Sequence, residues 1–464
     1  MSVEDEKKEK QDNILKVRDD HAPLYLSKST DNPDKPFELC DSTSSAWIKA
    51  GEAFGCNELR CRIEPWLASL FQSEHLSLLA GSGLSVAVTH ASGASGAAGM
   101  NKAEFSIHKK EIEESVATSA KKAGRSEGNL EDQIRVANEL LRGLEILNKD
   151  SDVLQLREDL EKAMEKFTNS ILGGEKNIAE ADERKREQAF DMLVTFLMSF
   201  ASRTGTRDRL NIFTTNYDRV VEMGAELAGM HLLDRFVGNL SPIFRSSRLD
   251  IDMHYNPPGM RGEPRYLEGV ARFAKLHGSI DWIQSQGEIR RIGIPFGADD
   301  IRPFFNAPGL REATPYKLMV YPNAAKDTET SDYPYVELFR DFAVSVCRPN
   351  STLVTYGYSF GDDHINRIIK DMLTIPSTHL VIISFDDPLR RIMTIYEELG
   401  RTSQISLLIG SDLGSLPNLV DYFLPKPAID KTTFRMMGLL RQRMGDNYPD
   451  LNGLADSSLG KKGE

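Results

Sequence analysis

Hydrophobic residues follow two different patterns along this chain. Several short runs are apolar at nearly every position and have the length of a β-strand: LSLL (76–79), LNIFTT, FAKLH, KLMVY, STLVTYGYS, HLVIISF and ISLLIG. Segments with helical spacing, such as DHINRIIKDML, separate the later runs. Continuously apolar strands that alternate with helices are typical of a parallel sheet covered on both faces. We therefore predict an α/β fold with a doubly wound parallel sheet.

A long helical segment interrupts this alternation. Residues 103–202 are rich in Glu, Lys, Leu and Ala, and one face collects Val153, Leu156, Leu160, Met164, Phe167 and Ile171. The Gly173-Gly174 pair predicts the C-terminus of that helix, and a second helix is expected from about residue 175 to 203. We interpret residues 103–202 as a helical insertion between two parts of the sheet.

The remaining boundaries follow from composition. Residues 1–40 are charged and carry little apolar periodicity, which predicts a flexible N-terminal arm. Residues 41–102 and 203–426 are expected to form the α/β domain. Residues 427–464 are expected to form a C-terminal helix and a polar tail.

Charge and cysteine content exclude several classes of function. The formal net charge is −12, which argues against direct nucleic-acid binding, and no apolar run approaches the ~18 residues of a membrane helix. The N-terminus lacks the hydrophobic region of a secretory signal, so we expect a cytoplasmic protein. The four cysteines form no C-x-x-C pair, so neither a disulfide framework nor a metal site is expected.

Small, polar and titratable residues follow five of the predicted strands. They form the stretches GSGLS (81–85), TTNYD (214–218), HG (277–278), GYSF (357–360) and SFDD (384–387). In an open α/β sheet, ligands bind beyond the carboxyl ends of the strands. We therefore expect the functional site at this edge.

The glycine-containing stretches suit a nucleotide. Gly81 and Gly83 allow the backbone to approach a phosphate, and Gly357 with Ser359 could add a second contact. Ordinary turns between a strand and a helix explain the same residues.

The acidic and amide residues also leave two interpretations open. Asp386 or Asp387 could accept hydrogen bonds from ribose, or cap a helix. Asn216 and Asp218, two residues apart, could hold ribose, water or a carboxamide, or form a hydrogen-bonded turn.

The segment FAKLHGSIDW places His277 between a short apolar run and a Gly-Ser turn. A histidine here can serve as a general acid or base near neutral pH, or it can simply close a strand. His364 lies in the first turn of a predicted helix, where capping or packing explains it.

Taken in order, these stretches resemble the sirtuin motifs over about residues 75–425. GSGLS resembles the G-A-G-x-S loop, TTNYD resembles T-Q-N-x-D, KLHGS resembles the segment with the catalytic histidine, and YGYSF resembles the G-T-S block. The segments YPN, GYSFGDDHIN and LLIGSDLGSL are similar to the sirtuin-like domains of bacterial anti-phage defence proteins, including partners of HerA-type ATPases.

The resemblance implies a Rossmann-like core with NAD as substrate. It assigns catalytic roles to Asn216, Asp218 and His277. It assigns NAD contacts to Gly81, Ser82, Gly83, Ser85, Thr215, Gly357, Tyr358, Ser359 and Asp386. One departure is clear, because residues 278–346 contain no cysteine and so lack the zinc module of sirtuin deacylases.

The function implied by the resemblance is therefore hydrolysis of NAD+ to nicotinamide and ADP-ribose, which would deplete NAD+ during anti-phage defence. A homo-oligomer with a HerA-type ATPase partner is implied as well. Two alternatives use the same site: NAD-dependent deacylation or ADP-ribosyl transfer, and a scaffold that binds NAD or ADP-ribose without turnover.

Overall fold

Parallel strands form the centre of the main sheet. The computed structural model describes residues 13–28, 35–40, 45–49, 51–96, 102–122, 127–202, 208–247, 252–255, 265–285, 287–310, 333–387 and 389–426. With strands numbered along the chain, the parallel order is β16 (Ile405–Gly410), β15 (His379–Ser384), β14 (Ser351–Tyr356), β4 (His75–Ala80), β5 (Leu210–Thr214), β11 (Val270–Lys275) and β6 (His231–Leu233). Their carboxyl ends therefore share one edge.

Three N-terminal strands extend this sheet with antiparallel pairing. β1 (Asn13–Lys16) pairs with β16, β2 (Leu24–Lys28) pairs with β1, and β3 (Phe37–Leu39) pairs with β2. The prediction of a flexible arm is wrong for residues 13–28 and 35–40. Alternate residues of these strands are buried in the core, including Leu15 and Leu26, which are fully buried. Burial of one strand face outweighs the charged composition of the segment.

Helices cover both faces of the sheet, as the doubly wound prediction requires. One face carries α1 (Cys56–Phe71), α2 (Ser82–Ala91), α6 (Glu183–Ala201) and α7 (Val220–Leu227). The other carries α8 (Tyr335–Val346), α9 (Asp363–Met372) and α10 (Arg391–Leu399). The mostly parallel sheet and its flanking helices confirm the predicted α/β class.

Three of the helices between α2 and β5 contribute to a separate hydrophobic cluster. They are α3 (Lys109–Lys122), α4 (Leu130–Ile146) and α5 (Asp150–Ala179), whereas α6 packs on the sheet face that carries α1. The predicted end of α5 at Gly173-Gly174 is wrong, because the helix continues to Ala179. Glu175 and Ile178 are buried beyond the glycines, and this packing outweighs the low helix propensity of glycine.

A small antiparallel sheet lies near the end of β11. Its order is β12 (Trp282–Ser285), β13 (Glu288–Arg291), β8 (Ile243–Phe244) and β7 (Phe236–Val237), and β9 (His254–Tyr255) pairs separately with β10 (Arg265–Tyr266). Within the described ranges, no cluster of three or more His, Cys, Asp or Glu residues could hold a metal ion.

Two predicted segments, KLMVY and the C-terminal helix with its tail, lie outside the described residues. Among the helices that are described, none combines the length and apolar character needed to cross a bilayer.

Candidate functional site

The glycine turn after β4 packs directly against the turn after β14. The Gly81 N–H donates to the Tyr356 carbonyl at 2.9 Å, and the Gly83 N–H donates to the Gly357 carbonyl at 3.1 Å. A Cβ atom on Gly81 would lie 2.4 Å from the Gly357 oxygen, and one on Gly83 would lie 2.6 Å from the Gly357 Cα atom. Gly357 itself has a φ of +60°. The contact between the two turns therefore requires glycine at all three positions.

A cavity of about 430 Å³ opens beside these turns. Of the residues predicted to contact NAD, six line it: Ser82, Gly83, Gly357, Tyr358, Ser359 and Asp386. The N-terminus of α2 lies at the cavity wall, where its N–H groups favour an anion. Val86, Phe385 and Leu416 supply apolar wall. A phosphate at the polar end and a ring on the apolar wall fit this arrangement.

The structure gives different contacts to Asp386 and Asp387, whose roles the sequence could not distinguish. The Asp387 carboxylate accepts hydrogen bonds from the N–H groups of Ile392 at 3.1 Å and Met393 at 3.0 Å. It therefore caps the first turn of α10. Asp386 is exposed and lines the cavity, which leaves its carboxylate available to a ligand.

Tyr358 contributes its ring and backbone to the cavity wall. Its hydroxyl donates to Asn366 Oδ1 at 3.2 Å, and burial raises the pKa of the phenol well above its ordinary value. The hydroxyl therefore forms its hydrogen bond within the protein rather than with a ligand in the cavity. The side chains of Ser82 and Ser359 are exposed and carry the accessible hydroxyl groups instead.

A hydrogen-bonded chain joins Asn216 to Asp218 through Ser85. Asn216 Nδ2 donates to Ser85 Oγ and to the Gly81 carbonyl, both at 3.0 Å. Ser85 Oγ donates to Asp218 Oδ2 at 2.7 Å. The other Asp218 oxygen accepts the Val220 N–H at 3.1 Å at the start of α7. The predicted hydrogen-bonded turn is therefore present, and it also aligns these side chains.

The amide oxygen of Asn216 is the unusual feature of this chain. Asn216 is 6% exposed, and its Oδ1 atom has no hydrogen-bond partner in the described part of the structure. A buried acceptor without a partner costs about 1–3 kcal/mol. A donor from a bound ligand or water would remove that cost.

His277 lies beside this chain at the same edge of the sheet. β5 and β11 are parallel neighbours, and Asn216 and His277 each come two residues after their strand ends. His277 is 8% exposed, and its Nε2 atom is 3.8 Å from Asp362 Oδ2. His364 packs edge-on against Phe339 at a centroid distance of 4.5 Å, in agreement with a packing role.

Ten of the twelve predicted residues fall into two groups. Six line the cavity, and the chain of Asn216, Ser85 and Asp218 lies with His277 at the ends of β5 and β11. Gly81, Ser85, Thr215 and the three residues assigned to catalysis are not among the cavity-lining residues. Gly81 still joins the two groups, because its carbonyl accepts from Asn216 and its N–H holds the β14 turn.

Lys275 was not predicted from the sequence. Its side chain contacts the backbone of the loop that carries Asp218. Its side chain is 1% exposed, and the ammonium donates to the Asp218 carbonyl and, at 2.8 Å, to Glu222 Oε1. Burial raises the pKa of the Glu222 carboxyl, and Lys275 opposes that shift. The signal in the sequence is a lysine that directly follows the apolar Phe273 and Ala274 at the end of β11.

The helical insertion holds the residues on either side of Asp218. The Arg219 N–H donates to Glu175 Oε1 at 2.8 Å, and the guanidinium forms a buried ion pair with the same carboxylate. Tyr217 donates its hydroxyl to Glu131 at 3.3 Å and meets the Phe167 ring edge-on. Sequence periodicity placed Glu131, Phe167 and Glu175 in the helical insertion, but it did not identify Tyr217 and Arg219 as their partners.

Comparison with known proteins adds family information for part of the chain. Residues 210–401 match a family model described as a SIR2-like domain. The matched range contains Asn216, Asp218, His277 and Gly357, and it begins after the glycine turn at residue 81. The match supports a sirtuin-like family and an NAD-related activity. No curated protein matches the chain.

Proposed function

We propose that this protein is an NAD+ hydrolase that cleaves the bond between nicotinamide and ribose. The observation that carries the proposal is the buried Asn216 amide, whose oxygen lacks a partner among the described residues and whose nitrogen is fixed by Ser85 and Gly81. His277 at the neighbouring strand end supplies a group that can accept a proton near neutral pH. The SIR2-like match over this range supports NAD+ as the substrate.

Binding follows from the cavity. The pyrophosphate would lie at the α2 N-terminus near Gly83, and Asp386 would accept hydrogen bonds from the adenosine ribose. The apolar wall would hold the adenine. The reactive ribose would then extend toward Asn216 and His277, because Gly81 joins the cavity turn to the Asn216 side chain.

The reaction requires a positioned water and little covalent chemistry from the protein. The electrons of the C1′–N bond pass to the nicotinamide nitrogen, which neutralises the pyridinium charge as nicotinamide leaves. Water then adds its oxygen to C1′ of the oxocarbenium-like ribose and gives up one proton. In this proposal His277 accepts a proton from that water or a ribose hydroxyl, and Asn216 orients either one.

Asp218 is proposed to bind the nicotinamide carboxamide. Its two oxygens already accept from Ser85 and Val220, but each carboxylate oxygen can accept a second hydrogen bond. The Asp362 carboxylate lies 3.8 Å from His277 Nε2 and would help to hold the imidazole in place.

The biological setting remains part of the proposal and rests on the sequence resemblance. It comprises a cytoplasmic protein, NAD+ depletion in anti-phage defence, a homo-oligomer and a HerA-type ATPase partner. Because unrestrained hydrolysis would be toxic, we propose that turnover is controlled through such contacts.

Product analysis distinguishes the candidate reactions. The full-length protein is incubated with NAD+, alone and with the product of the neighbouring gene, in the presence and absence of an acylated peptide. Nicotinamide and ADP-ribose formed without peptide support the hydrolase. Turnover that needs the acylated peptide indicates deacylation, a modified protein indicates ADP-ribosyl transfer, and bound but intact NAD+ under every condition indicates a scaffold.

A further inference from the structure

A second cavity, of about 320 Å³, lies at the β6 edge of the main sheet. β6, β11 and the start of the small sheet form its walls, and α8 contributes Asp341. It shares no lining residue with the cavity beside the glycine turns. The proposed NAD+ site therefore does not account for it.

Both acidic side chains of this second cavity are neutralised by arginines. Asp341 receives a two-point contact from Arg235, with distances of 2.7 Å and 2.9 Å. Asp234 accepts from Arg291 at 2.7 Å and from the Phe236 N–H at 2.8 Å. The negative charges of Asp341 and Asp234 are therefore already balanced by Arg235 and Arg291.

Two more arginines line the cavity without such partners. Arg272 is half-buried and Arg245 is exposed, and neither guanidinium forms an ion pair or hydrogen bond with another described residue. Arg272 is paired in register with Asn211 on β5 and with Leu233 on β6, so the three side chains share one face of the sheet. The cavity thus has an excess of positive charge in a chain of net charge −12.

The rest of the wall suits the uncharged part of a ligand. Phe213 and Leu232 provide apolar surface, and Asn211 provides an amide. Arginine binds phosphate with a planar array of N–H donors, and a concave wall strengthens the local field.

We propose that this second cavity binds a phosphorylated small molecule of about mononucleotide size, with Arg245 and Arg272 holding the phosphate. Arg272 lies on β11 and Arg245 follows β8, so the two guanidinium groups would bind one phosphate from two different segments of the chain. This site is independent of the proposed NAD+ reaction.

Arginine-specific labelling gives a readout for each residue. The full-length protein is treated with phenylglyoxal in the presence of AMP, adenosine or inorganic phosphate, and modified peptides are quantified by mass spectrometry. We expect AMP to slow modification of Arg245 and Arg272 at least tenfold, and adenosine to have no effect. Arg391 lines the first cavity and reports occupancy there, while the exposed Arg302 serves as the unprotected control.

A variant provides a second test. Arg245→Gln/Arg272→Gln should bind one AMP fewer per chain than the parent in equilibrium dialysis, while Arg302→Gln should bind the same number. Both substituted arginines are solvent-accessible, and thermal unfolding checks that the variant is folded. The proposal is overturned if millimolar AMP protects neither arginine, or if a folded double variant binds as much AMP as the parent.

Discussion

Gly81 and Gly83 are constrained by the fold before any ligand binds. The positions where their Cβ atoms would stand are occupied by the backbone of the β14 turn. The same close contact places the α2 N-terminus at the cavity wall. The glycine stretch that we propose binds phosphate therefore also sets the distance between two strand-to-helix turns.

Replacing Gly83 by alanine tests this contact. Gly83→Ala must separate the two turns, so we expect the free energy of unfolding to fall by about 1–3 kcal/mol and NAD+ binding to weaken at least tenfold. Urea unfolding and calorimetric titration measure the two effects.

Gly173→Ala is the matched control, since a Cβ atom there meets nothing within 4 Å. It lies inside α5 and should raise stability by about 0.5–1 kcal/mol. Equal behaviour of the two variants would contradict the role assigned to the turn contact.

The positions of the candidate residues were accessible from the sequence, but their partners were not. The order of motifs pointed to Asn216, Asp218 and His277 because strand ends share an edge. The link through Ser85 depends on how α2 meets the β5 loop, which no local pattern encodes. Asp386 and Asp387 are adjacent and chemically identical, so only their contacts distinguish the acid that lines the cavity from the one that caps a helix.

At the scale of elements, the Glu175–Arg219 pair connects α5 to the loop that carries Asp218. Both side chains are buried, with 1% of Glu175 and 9% of Arg219 exposed. Burial raises the pKa of the Glu175 carboxyl, and Arg219 opposes this shift. The helical insertion therefore helps to hold the loop that carries Asp218 in position.

Removing one partner should be costly. Glu175→Ala leaves the Arg219 charge buried, and we expect a loss of about 3–5 kcal/mol in the free energy of unfolding. Glu158→Ala breaks the exposed pair with Lys162 and should cost about 0.3–0.5 kcal/mol. Chemical denaturation of both variants gives the comparison, and a loss below about 1 kcal/mol for Glu175→Ala would rule out this support.

Element prediction succeeded where burial is continuous and failed where it depends on distant packing. The apolar runs of β4, β5, β14, β15 and β16 have the length and continuity that favour buried strands. The N-terminal strands mix apolar with polar residues and are separated by charged segments, so the pairing of β1 with β16, and of β2 and β3 beyond it, was not visible. The Gly173-Gly174 pair has the local sequence of a helix C-terminus, but burial of Ile178 stabilises a helix that extends to Ala179.

For the whole molecule, His379 links stability to pH. It lies at the start of β15, 2.8 Å from Ser406 Oγ and edge-on to Trp66. Burial, with a smaller contribution from Lys16, lowers the pKa of His379 to about 4. Protonation therefore favours the unfolded chain, and stability is lost as pH falls below the unfolded value of about 6.5.

Between pH 7 and pH 5 this one group should remove about 2 kcal/mol from the free energy of unfolding. His379→Gln does not titrate and keeps a polar partner for Ser406, so its stability should fall less over the same range. Urea denaturation at both pH values measures the difference. Parallel losses in the parent and the variant would show that His379 does not titrate on unfolding.

The proposed reaction requires Asn216 and His277 to act on bound NAD+. Nicotinamide release and NAD+ binding are measured for the parent protein, Asn216→Ala and His277→Ala, under the condition that gives the parent its highest turnover. We predict that each variant binds NAD+ within about tenfold of the parent and releases nicotinamide at least 100-fold more slowly. Parental turnover in both folded variants, or no turnover by the parent alone or with its partner, would contradict the account.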